Sequence, residues 1–149
     1  MSEPVVSIVI PTFNKVELTL PCLQALVENT PERIPYEVII VDNASTDGTR
    51  TLFEQLEGDV RIFLNETNEG FGKACNKGAF SSNANYVLFL NNDTKVLPGW
   101  LDPLLAAMEQ DTELAAVQPR LLYPDGRLNS AGDLVFIVKA KIRSCIAAF

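Results

Sequence analysis

An apolar run that stops at three polar side chains most constrains how this chain can fold. The run extends from Tyr86 to Leu90, and Asn91, Asn92 and Asp93 follow it directly. A short apolar run with such an end is typical of a buried strand in a parallel sheet. Ligands of open α/β sheets bind just beyond the carboxyl ends of the strands, where a carboxylate can hold a divalent cation and, through it, a diphosphate. Taken alone, the polar triplet is also compatible with a surface turn.

A second segment has the same layout. The strand-like run from Glu37 to Val41 continues directly into Asp42 and Asn43. Two interpretations of these polar residues stay open: Asp42 caps the following loop, or both side chains bond the N–H and C=O groups of a pyrimidine base. Pro11 and Thr12 leave the first strand and are expected on the same side. Two strands that each end in a polar cluster predict one site.

The whole chain alternates between strand-like and helix-like segments. Apolar strand patterns lie at about residues 5–10, 37–41, 60–64, 86–90 and 114–117. A segment with helical periodicity follows each of the first four strands. Pro21 is expected in the first turn of the first helix, and the other three helices are expected to end near residues 57, 82 and 110. The alternation indicates βαβ units and an α/β domain with a mostly parallel sheet. Tyr123 to Arg127 predicts a tight turn between antiparallel strands, whereas residues 138–149 show no clear pattern.

Length and composition predict one soluble domain. The chain has 149 residues, of which 47% are hydrophobic and 21% charged. It has no apolar run near the roughly 20 residues that span a bilayer, and no basic segment ahead of an apolar core that would indicate a secretory signal. Cys22, Cys75 and Cys145 form neither a metal-ligand spacing nor an even disulfide set, so reduced, buried thiols are expected. A cytoplasmic location follows by default.

Two further properties limit the chemistry. The chain has no histidine, which excludes a histidine-activated nucleophile and most zinc sites. Its net charge of −7 argues against broad contact with nucleic acid. An acidic protein that binds a phosphorylated ligand must neutralise negative charge on both partners. Mg²⁺ or Mn²⁺ does this most simply, because hard cations prefer carboxylate and phosphate oxygens.

The glycine-rich segment from Gly70 to Cys75 is not a dinucleotide-binding fingerprint. It lacks the third glycine and does not follow a strand directly. It can still open a helix whose free N–H groups, together with Lys73, suit a phosphate or a ribose. A purely structural turn explains this segment equally well.

Several blocks of the sequence together resemble the family 2 glycosyltransferases. Four blocks carry the resemblance, in order and at suitable spacing: Val6–Lys15, Glu37–Thr49, Asn68–Gly78 and Tyr86–Trp100. A fifth, Pro119–Arg127 followed by Ser130–Gly132, resembles bacterial members close to the rhamnosyltransferases. The resemblance covers about residues 5–137 of what we expect to be a single domain over residues 1–149, with 138–149 as an unassigned tail.

The resemblance implies a three-layer α/β/α fold for nucleotide-diphospho-sugar transferases (GT-A), incomplete here at its C-terminal end, and inverting sugar transfer. By position, Asp93 would ligate the Mg²⁺ or Mn²⁺ that bridges the diphosphate, and Asn92 would lie on the ribose side. The resemblance also implies base contacts for Pro11, Asp42 and Asn43, and ribose and phosphate contacts for Lys73 and Asn76. Thr12, beside Pro11, is expected to bind the nucleotide as well.

Two departures from the family pattern limit this expectation. The metal motif reads Asn-Asn-Asp, so an amide at Asn92 replaces the first carboxylate. The sequence stops following the family after Phe136, and no counterpart of its catalytic base is found, so the catalytic residue stays unknown.

The expected function is therefore the donor-binding half of a glycosyltransferase. The donor is UDP- or dTDP-linked, and the acceptor is a sugar or a lipid-linked glycan in cell-surface polysaccharide synthesis. The location is the cytoplasm, with peripheral contact at the inner membrane face as an option. Two alternatives stay open: a non-catalytic nucleotide-sugar-binding module or degenerate remnant, and a switch domain phosphorylated on Asp42 or Asp93.

Overall fold

Apolar segments of the chain form a six-stranded sheet with helices on both faces. The computed structural model describes residues 4–130, and of residues 145–148 the backbone only. Most of the unassigned tail, the Cys145 side chain and the end of the fifth resembling block therefore lie outside the described residues. The strands are β1 (Val6–Thr12), β2 (Tyr36–Asp42), β3 (Val60–Leu64), β4 (Tyr86–Leu90), β5 (Ala116–Val117), β6 (Leu121–Leu122), β7 (Leu128–Ser130) and β8 (Cys145–Ala148). The helices are α1 (Val16–Asn29), α2 (Thr49–Phe53), α3 (Phe71–Ser81) and α4 (Leu101–Gln110).

The sheet has the order β3-β2-β1-β4-β8-β5, and all its paired strands are parallel. The chain adds β2 and β3 on one side of β1 and then crosses to place β4 on the other side. Strand order therefore reverses between β1 and β4, which is where open α/β sheets bind ligands. The registered pairs of β1 with β2 run as far as Thr12 and Asp42, but those with β4 end at Val9 and Phe89. The carboxyl ends of β1 and β4 are thus free to diverge.

Alternate residues of the central strands face two hydrophobic layers. Ile8, Ile10, Leu88 and Leu90 are fully buried under α1, α2 and α4. Val9 faces the opposite side together with Ile39 and Val41 of β2, and there they pack against Ala74 of α3. Residues buried on both faces of a parallel sheet read as continuous apolar runs, which is the pattern the sequence shows. The predicted mostly parallel α/β fold is confirmed.

Three predicted boundaries were wrong. β1 continues through Pro11 and Thr12, which were expected to lie in a loop, because both still register with β2. α1 starts earlier than expected, at Val16, so Pro21 lies inside the helix and not in its first turn. α2 ends at Phe53 and not near residue 57, since the N–H groups of Gln55 and Leu56 bond carbonyls three residues back.

Two other features lie near the C-terminal end of the sequence. The predicted turn from Tyr123 to Arg127 does join antiparallel strands, β6 and β7, and the Tyr123 N–H donates to the Arg127 carbonyl at 2.8 Å. β8, which pairs between β4 and β5, was not foreseen, because its apolar residues lack a distinctive pattern. A long-range parallel partner cannot be recognised from such a short segment.

Close packing of α3 on β1 depends on Gly78. A Cβ atom at this position would lie 2.3 Å from Cγ1 of Val9, a fully buried residue of the central strand. Val9 cannot move away easily, since β1 is paired with a strand on both sides. The missing side chain at residue 78 therefore fixes the distance of α3 from the sheet.

Gly78→Ala should destabilise the fold, because α3 must move away from Val9 to admit the methyl group. We expect the free energy of unfolding to fall by about 1–3 kcal/mol in denaturant titrations. Gly72→Ala is the matched control, since a Cβ on this glycine of the same helix meets nothing within 4 Å. The control should change stability by less than about 1 kcal/mol, in the favourable direction. Equal effects of the two substitutions would contradict the packing role.

Candidate functional site

A cleft of about 430 Å³ lies at the carboxyl edge of the sheet, beside the point where strand order reverses. Three strand ends contribute to it: β1, the residues after β2 and the residues after β4. Five of the eight predicted site residues line the cleft: Pro11, Thr12, Asn43, Asn92 and Asp93. The structure thus brings the two polar clusters into one site, although β1 lies between β2 and β4.

Six further cleft residues were not among the eight predicted site residues. They are Phe13, Lys15, Asn68, Gly70, Phe71 and Asn91. Phe13 and Phe71 are 46% and 47% exposed, which gives the cleft two accessible aromatic faces. An aromatic residue directly after a strand end, outside the apolar alternation, is the signal that could have identified Phe13. Lys15 adds a positive charge to a cleft that also contains Asp93.

The loop between β1 and α1 has a strained backbone that a neighbouring loop holds in place. Asn14 and Lys15 have φ angles of 55° and 61°, and Ala44 in the loop after β2 has 65°. The Asn14 N–H donates to Oγ of Ser45 at 2.7 Å, and the Thr46 N–H donates to Oδ1 of Asn14 at 2.8 Å. Left-handed conformations are costly for residues with a side chain and persist where surrounding bonds enforce them, often at binding sites.

Asp47 joins the same two loops through its carboxylate. Oδ2 accepts the N–H of Val16, the first residue of α1, at 3.1 Å, and Oδ1 accepts the Thr49 N–H at 2.9 Å. α1 has no cap from its own N-cap side chain, so Asp47 satisfies one of its free donors from another segment. Hydrogen bonding by the Thr49 side chain, together with these N–H groups, lowers the pKa of Asp47 from its usual value of 3.8.

Asp42 does not reach the cleft. Its side chain is completely buried, and its Oδ2 atom is 2.7 Å from Nε of Arg50 and accepts the Ser45 N–H at 3.1 Å. Of the two interpretations left open by the sequence, the structure therefore shows the first, in which Asp42 caps the loop after β2. The predicted contact of Asp42 with a base has no geometric support here. Asn43, one residue further along, is the residue of this pair that lines the cleft.

Asn43 is held by a chain of polar contacts behind the cleft. Its Nδ2 donates to the Gly70 carbonyl at 3.3 Å, and its Oδ1 accepts from Nδ2 of Asn65 at 2.9 Å. Asn65 is buried, and its Oδ1 accepts in turn from Nζ of Lys77. The guanidinium of Arg50, which pairs with Asp42, also donates to the Asn65 carbonyl at 2.7 Å. The sequence analysis assigned no role to Arg50, Asn65 or Lys77.

Lys73 and Asn76 do not line the cleft. Both are exposed on α3, whose buried residues Ala74, Cys75 and Gly78 face the sheet. Residues at 73 and 76 therefore lie on the outer side of a helix whose N-terminus, not its body, meets the cleft. The glycine-rich block does contribute to the site, but through its first residues, Gly70 and Phe71. The placement of Lys73 and Asn76 gives their predicted ribose and phosphate contacts no support.

Asn92 has a defined orientation at the mouth of the cleft. Its Nδ2 donates to Oγ1 of Thr19 at 2.9 Å, and that hydroxyl donates to the Lys15 carbonyl at 3.2 Å. A carboxylate at residue 92 could not donate to Thr19, so the amide of the Asn-Asn-Asp motif suits its neighbours. Its Oδ1 is the side of the amide left to accept a hydroxyl group.

Cys22 lies directly behind the Asn-Asn-Asp turn, and its Sγ donates to the Asn91 carbonyl at 3.5 Å. Burial, and to a smaller extent the charge of Asp93, raise the pKa of the Cys22 thiol to about 12, whereas a hydrogen bond with the Thr94 backbone opposes the shift. Cys22 is therefore an unreactive thiol. Cys22 and Cys75 are both buried and free of disulfides, as predicted.

Asp93 is exposed in the cleft and is the carboxylate best placed to hold a cation there. Among the described residues, no three His, Cys, Asp or Glu side chains lie together as a metal site. One carboxylate nevertheless fits Mg²⁺ or Mn²⁺ in a nucleotide complex, because such ions are commonly bound by one or two carboxylates together with phosphate oxygens. The donor set therefore fits a cation shared with a ligand better than a cation held by the protein alone.

The architecture is similar to that of solved glycosyltransferases. Residues 1–349 of TarS from S. aureus in complex with UDP match with a TM-score of 0.70 and 24% identity, over 82% of this chain and 37% of that one. GalNAc-T7 with UDP, GalNAc and Mn²⁺ matches with a TM-score of 0.67 and 21% identity, over 78% of this chain and 23% of that one. These likenesses define the fold alone, and it is the α/β fold of the GT-A glycosyltransferases.

The family follows from sequence. The family model for glycosyl transferase family 2 matches residues 7–143, so the chain belongs to that family. The O-antigen biosynthesis protein RfbC of Myxococcus xanthus is 35% identical over 137 residues, which are 89% of this chain and 10% of that protein. The chain spans half or less of the length of the curated relatives it matches. Within the described residues no helix has the length and apolar character needed to cross a membrane.

The Asp42–Arg50 ion pair should be required for stability. Arg50→Met leaves a fully buried carboxylate without its ion partner, and we expect a loss of about 3 kcal/mol in the free energy of unfolding. Arg33→Met is the matched control, since Arg33 pairs with Asp102 at the surface, where such bridges contribute less than about 1 kcal/mol. Similar losses in the two variants would show that Asp42 does not depend on Arg50.

The contribution of Asp47 should depend on pH. Because its folded-state pKa lies below the usual value, the charged form stabilises the fold above about pH 4, and this stabilisation disappears as pH falls through the lowered pKa. The difference in unfolding free energy between the unsubstituted chain and Asp47→Asn should therefore be constant from pH 7 to pH 5 and shrink below pH 4. A difference that is unchanged down to pH 2.5 would contradict the assigned role of the charge.

Proposed function

We propose that the chain binds the nucleoside-diphosphate part of a sugar donor in the cleft between β1 and β4, as the donor half of a glycosyltransferase. One observation carries the proposal: Asn43, the aromatic faces of Phe13 and Phe71, and Asp93 line a single cleft at the point where strand order reverses. Family membership supports the same assignment. The UDP in the complex of the similar TarS structure supports the choice of ligand.

Each part of such a ligand has a chemical counterpart in the cleft. Phe13 and Phe71 offer surfaces on which a planar base can stack, and Asn43 offers hydrogen-bonding groups at its edge. The free Oδ1 of Asn92 suits a ribose hydroxyl. Lys15 and a cation at Asp93 would neutralise the diphosphate, which an acidic protein could not otherwise accommodate.

A divalent cation is part of this proposal. Asp93 would hold Mg²⁺ or Mn²⁺ together with the phosphate oxygens, and the Mn²⁺ in the GalNAc-T7 structure supports that choice. When bound, such an ion stabilises negative charge on a leaving diphosphate. The chain's own residues would orient the donor: Asn43 and the aromatic faces at the base, Asn92 at the ribose and Lys15 at the phosphates.

The second half of an inverting transfer is a base that deprotonates the acceptor hydroxyl opposite the diphosphate. No cleft residue of the described part of the chain has this character, since Asp93 is its one carboxylate. We therefore propose that the chain as it stands binds donor but transfers sugar poorly or not at all. The alternative, a nucleotide-sugar-binding module without turnover in any context, predicts the same binding and differs in the activity of a longer protein.

The finer assignments rest on the sequence and on relatives. The resemblance to bacterial members near the rhamnosyltransferases favours a dTDP- or UDP-linked donor, and a role in cell-surface polysaccharide synthesis agrees with the name of RfbC. A glycan acceptor, a cytoplasmic location and contact with the inner membrane face stay predictions. For the phosphorylated-switch alternative, Asp42 is fully buried against Arg50 and cannot meet a phosphoryl donor, so that alternative now depends on Asp93 alone.

Calorimetric titration with UDP and with dTDP, each with and without Mn²⁺, tests the proposal. We expect metal-dependent binding that weakens at least about tenfold in Asp93→Ala, since the substitution removes the carboxylate that shares the cation. Asp59→Ala is the matched control, because it removes an exposed carboxylate at the amino end of β3, on the opposite edge of the sheet. Metal-independent binding, or equal loss in the two variants, would overturn the assignment of Asp93.

A further inference from the structure

A series of hydrogen bonds runs from Lys77 through Asn65 to Asn43, which lines the cleft. The Lys77 ammonium donates to Oδ1 of Asn65, and the other end of that amide, Nδ2, donates to Oδ1 of Asn43 at 2.9 Å. Asn43 and Asn65 are 4% and 5% exposed, so water has little access to either amide. Lys77 is also held by the ring of Phe63, whose centroid is 5.6 Å from Nζ. A cation on α3, whose ammonium lies against the end of β3, thus connects to a residue that lines the site.

The chemistry of these groups fixes the donor and the acceptor in each hydrogen bond of the series. An asparagine side chain can turn over and exchange its donor and acceptor ends, so its orientation is fixed only by a partner that can donate but not accept, or accept but not donate. An ammonium has three donors and no acceptor, so Lys77 requires the oxygen of Asn65 to face it. The nitrogen of Asn65 must then face Asn43, which requires the oxygen of Asn43. The nitrogen of Asn43 then donates to the Gly70 carbonyl, which can only accept, so Lys77 and Gly70 favour the same orientation of Asn43.

We propose that Lys77 and Asn65 are positioning residues that set Asn43 as a hydrogen-bond donor toward the nucleotide base. The Asn43 nitrogen carries two hydrogens, and the Gly70 carbonyl takes one of them. Asn43 then presents N–H to the cleft, so it favours a base with a carbonyl oxygen at that place over one with an amino group. This selects uracil or thymine over cytosine, whose amino group replaces the carbonyl at the corresponding ring position.

This inference rests on the proposed function, but it makes a separate claim. The proposed function requires that a nucleoside diphosphate binds in the cleft. The present claim is that Lys77, which does not line the cleft, determines which base is preferred. A purely structural Lys77 would change stability, or would weaken all nucleotides alike.

The test compares the binding of UDP and CDP in the presence of Mn²⁺, by calorimetry on the full chain. The two ligands carry the same diphosphate, so any change in the overall charge of the site cancels in the ratio of their dissociation constants. The unsubstituted chain should bind UDP more tightly. Lys77→Glu offers an acceptor in place of a donor, so Asn65 should reverse and turn its oxygen toward Asn43. Asn43 can then bond Asn65 only if it reverses as well and gives up its bond to the Gly70 carbonyl. The preference for UDP should fall by about tenfold, a difference of about 1.4 kcal/mol.

Two further variants separate orientation from charge and packing. Lys77→Arg keeps a cationic donor and should retain the preference for UDP. Lys77→Met removes the donor without adding an acceptor, and its preference should lie between those of the other two variants. Thermal unfolding of all three identifies any variant that fails to fold. Asn65→Leu then provides a second test, since it breaks the chain of contacts at its middle and should also reduce the preference.

The possible results distinguish the two claims. Binding of UDP by the unsubstituted chain, with equal UDP-to-CDP ratios in folded Lys77→Glu and Lys77→Arg, would overturn the positioning role and leave the proposed function intact. Equal affinities for UDP and CDP in the unsubstituted chain would overturn it as well. Failure of the unsubstituted chain to bind either nucleotide would overturn both claims.

Discussion

The ion pair between Asp42 and Arg50 holds the carboxyl edge of the sheet together. Asp42 is the last residue of β2, and its carboxylate fixes both Arg50 and the Ser45 N–H of the following loop. The Arg50 guanidinium also donates to the carbonyl of Asn65, the residue directly after β3. The Asn65 N–H in turn donates to the Asp42 carbonyl at 2.9 Å. The carboxylate is completely buried, so losing its partner would leave a charge without compensation. The position of Asn43 in the cleft depends on this arrangement.

Sequence reasoning predicted that polar residues from two strand ends lie together, because strand ends in a parallel sheet share one edge. That rule needs only the alternation of strands and helices, and it correctly brought Asn43 and Asp93 to one cleft. It could not tell which of two consecutive residues, Asp42 or Asn43, faces outward, because successive side chains leave a strand on different sides. Lys73 and Asn76 do not line this cleft for a related reason: a helix that begins at the cleft turns most of its residues away from it.

The fold was predictable where burial decides the pattern and unpredictable where distant contacts decide it. The buried strands β1, β2 and β4 read as apolar runs, and their pairing follows from βαβ geometry. The early start of α1 depends on Asp47, which caps the helix from another loop, so nothing next to Val16 indicates it. Likewise, no local signal shows that Lys77 bonds Asn65, twelve residues earlier in the sequence.

The cleft contains more amides than charged side chains among its described lining residues. Asn43, Asn91 and Asn92 occupy the strand ends, with Lys15 and Asp93 as the ionised side chains beside them. An amide can recognise a donor or an acceptor, so it discriminates between ligands only when neighbouring groups fix which end it presents. Thr19 does this for Asn92, and Lys77 does it for Asn43 through Asn65. Selectivity in this cleft is therefore decided by residues behind its surface. Lys77 can only donate to Asn65, and the Thr19 hydroxyl, whose hydrogen goes to the Lys15 carbonyl, accepts from Asn92.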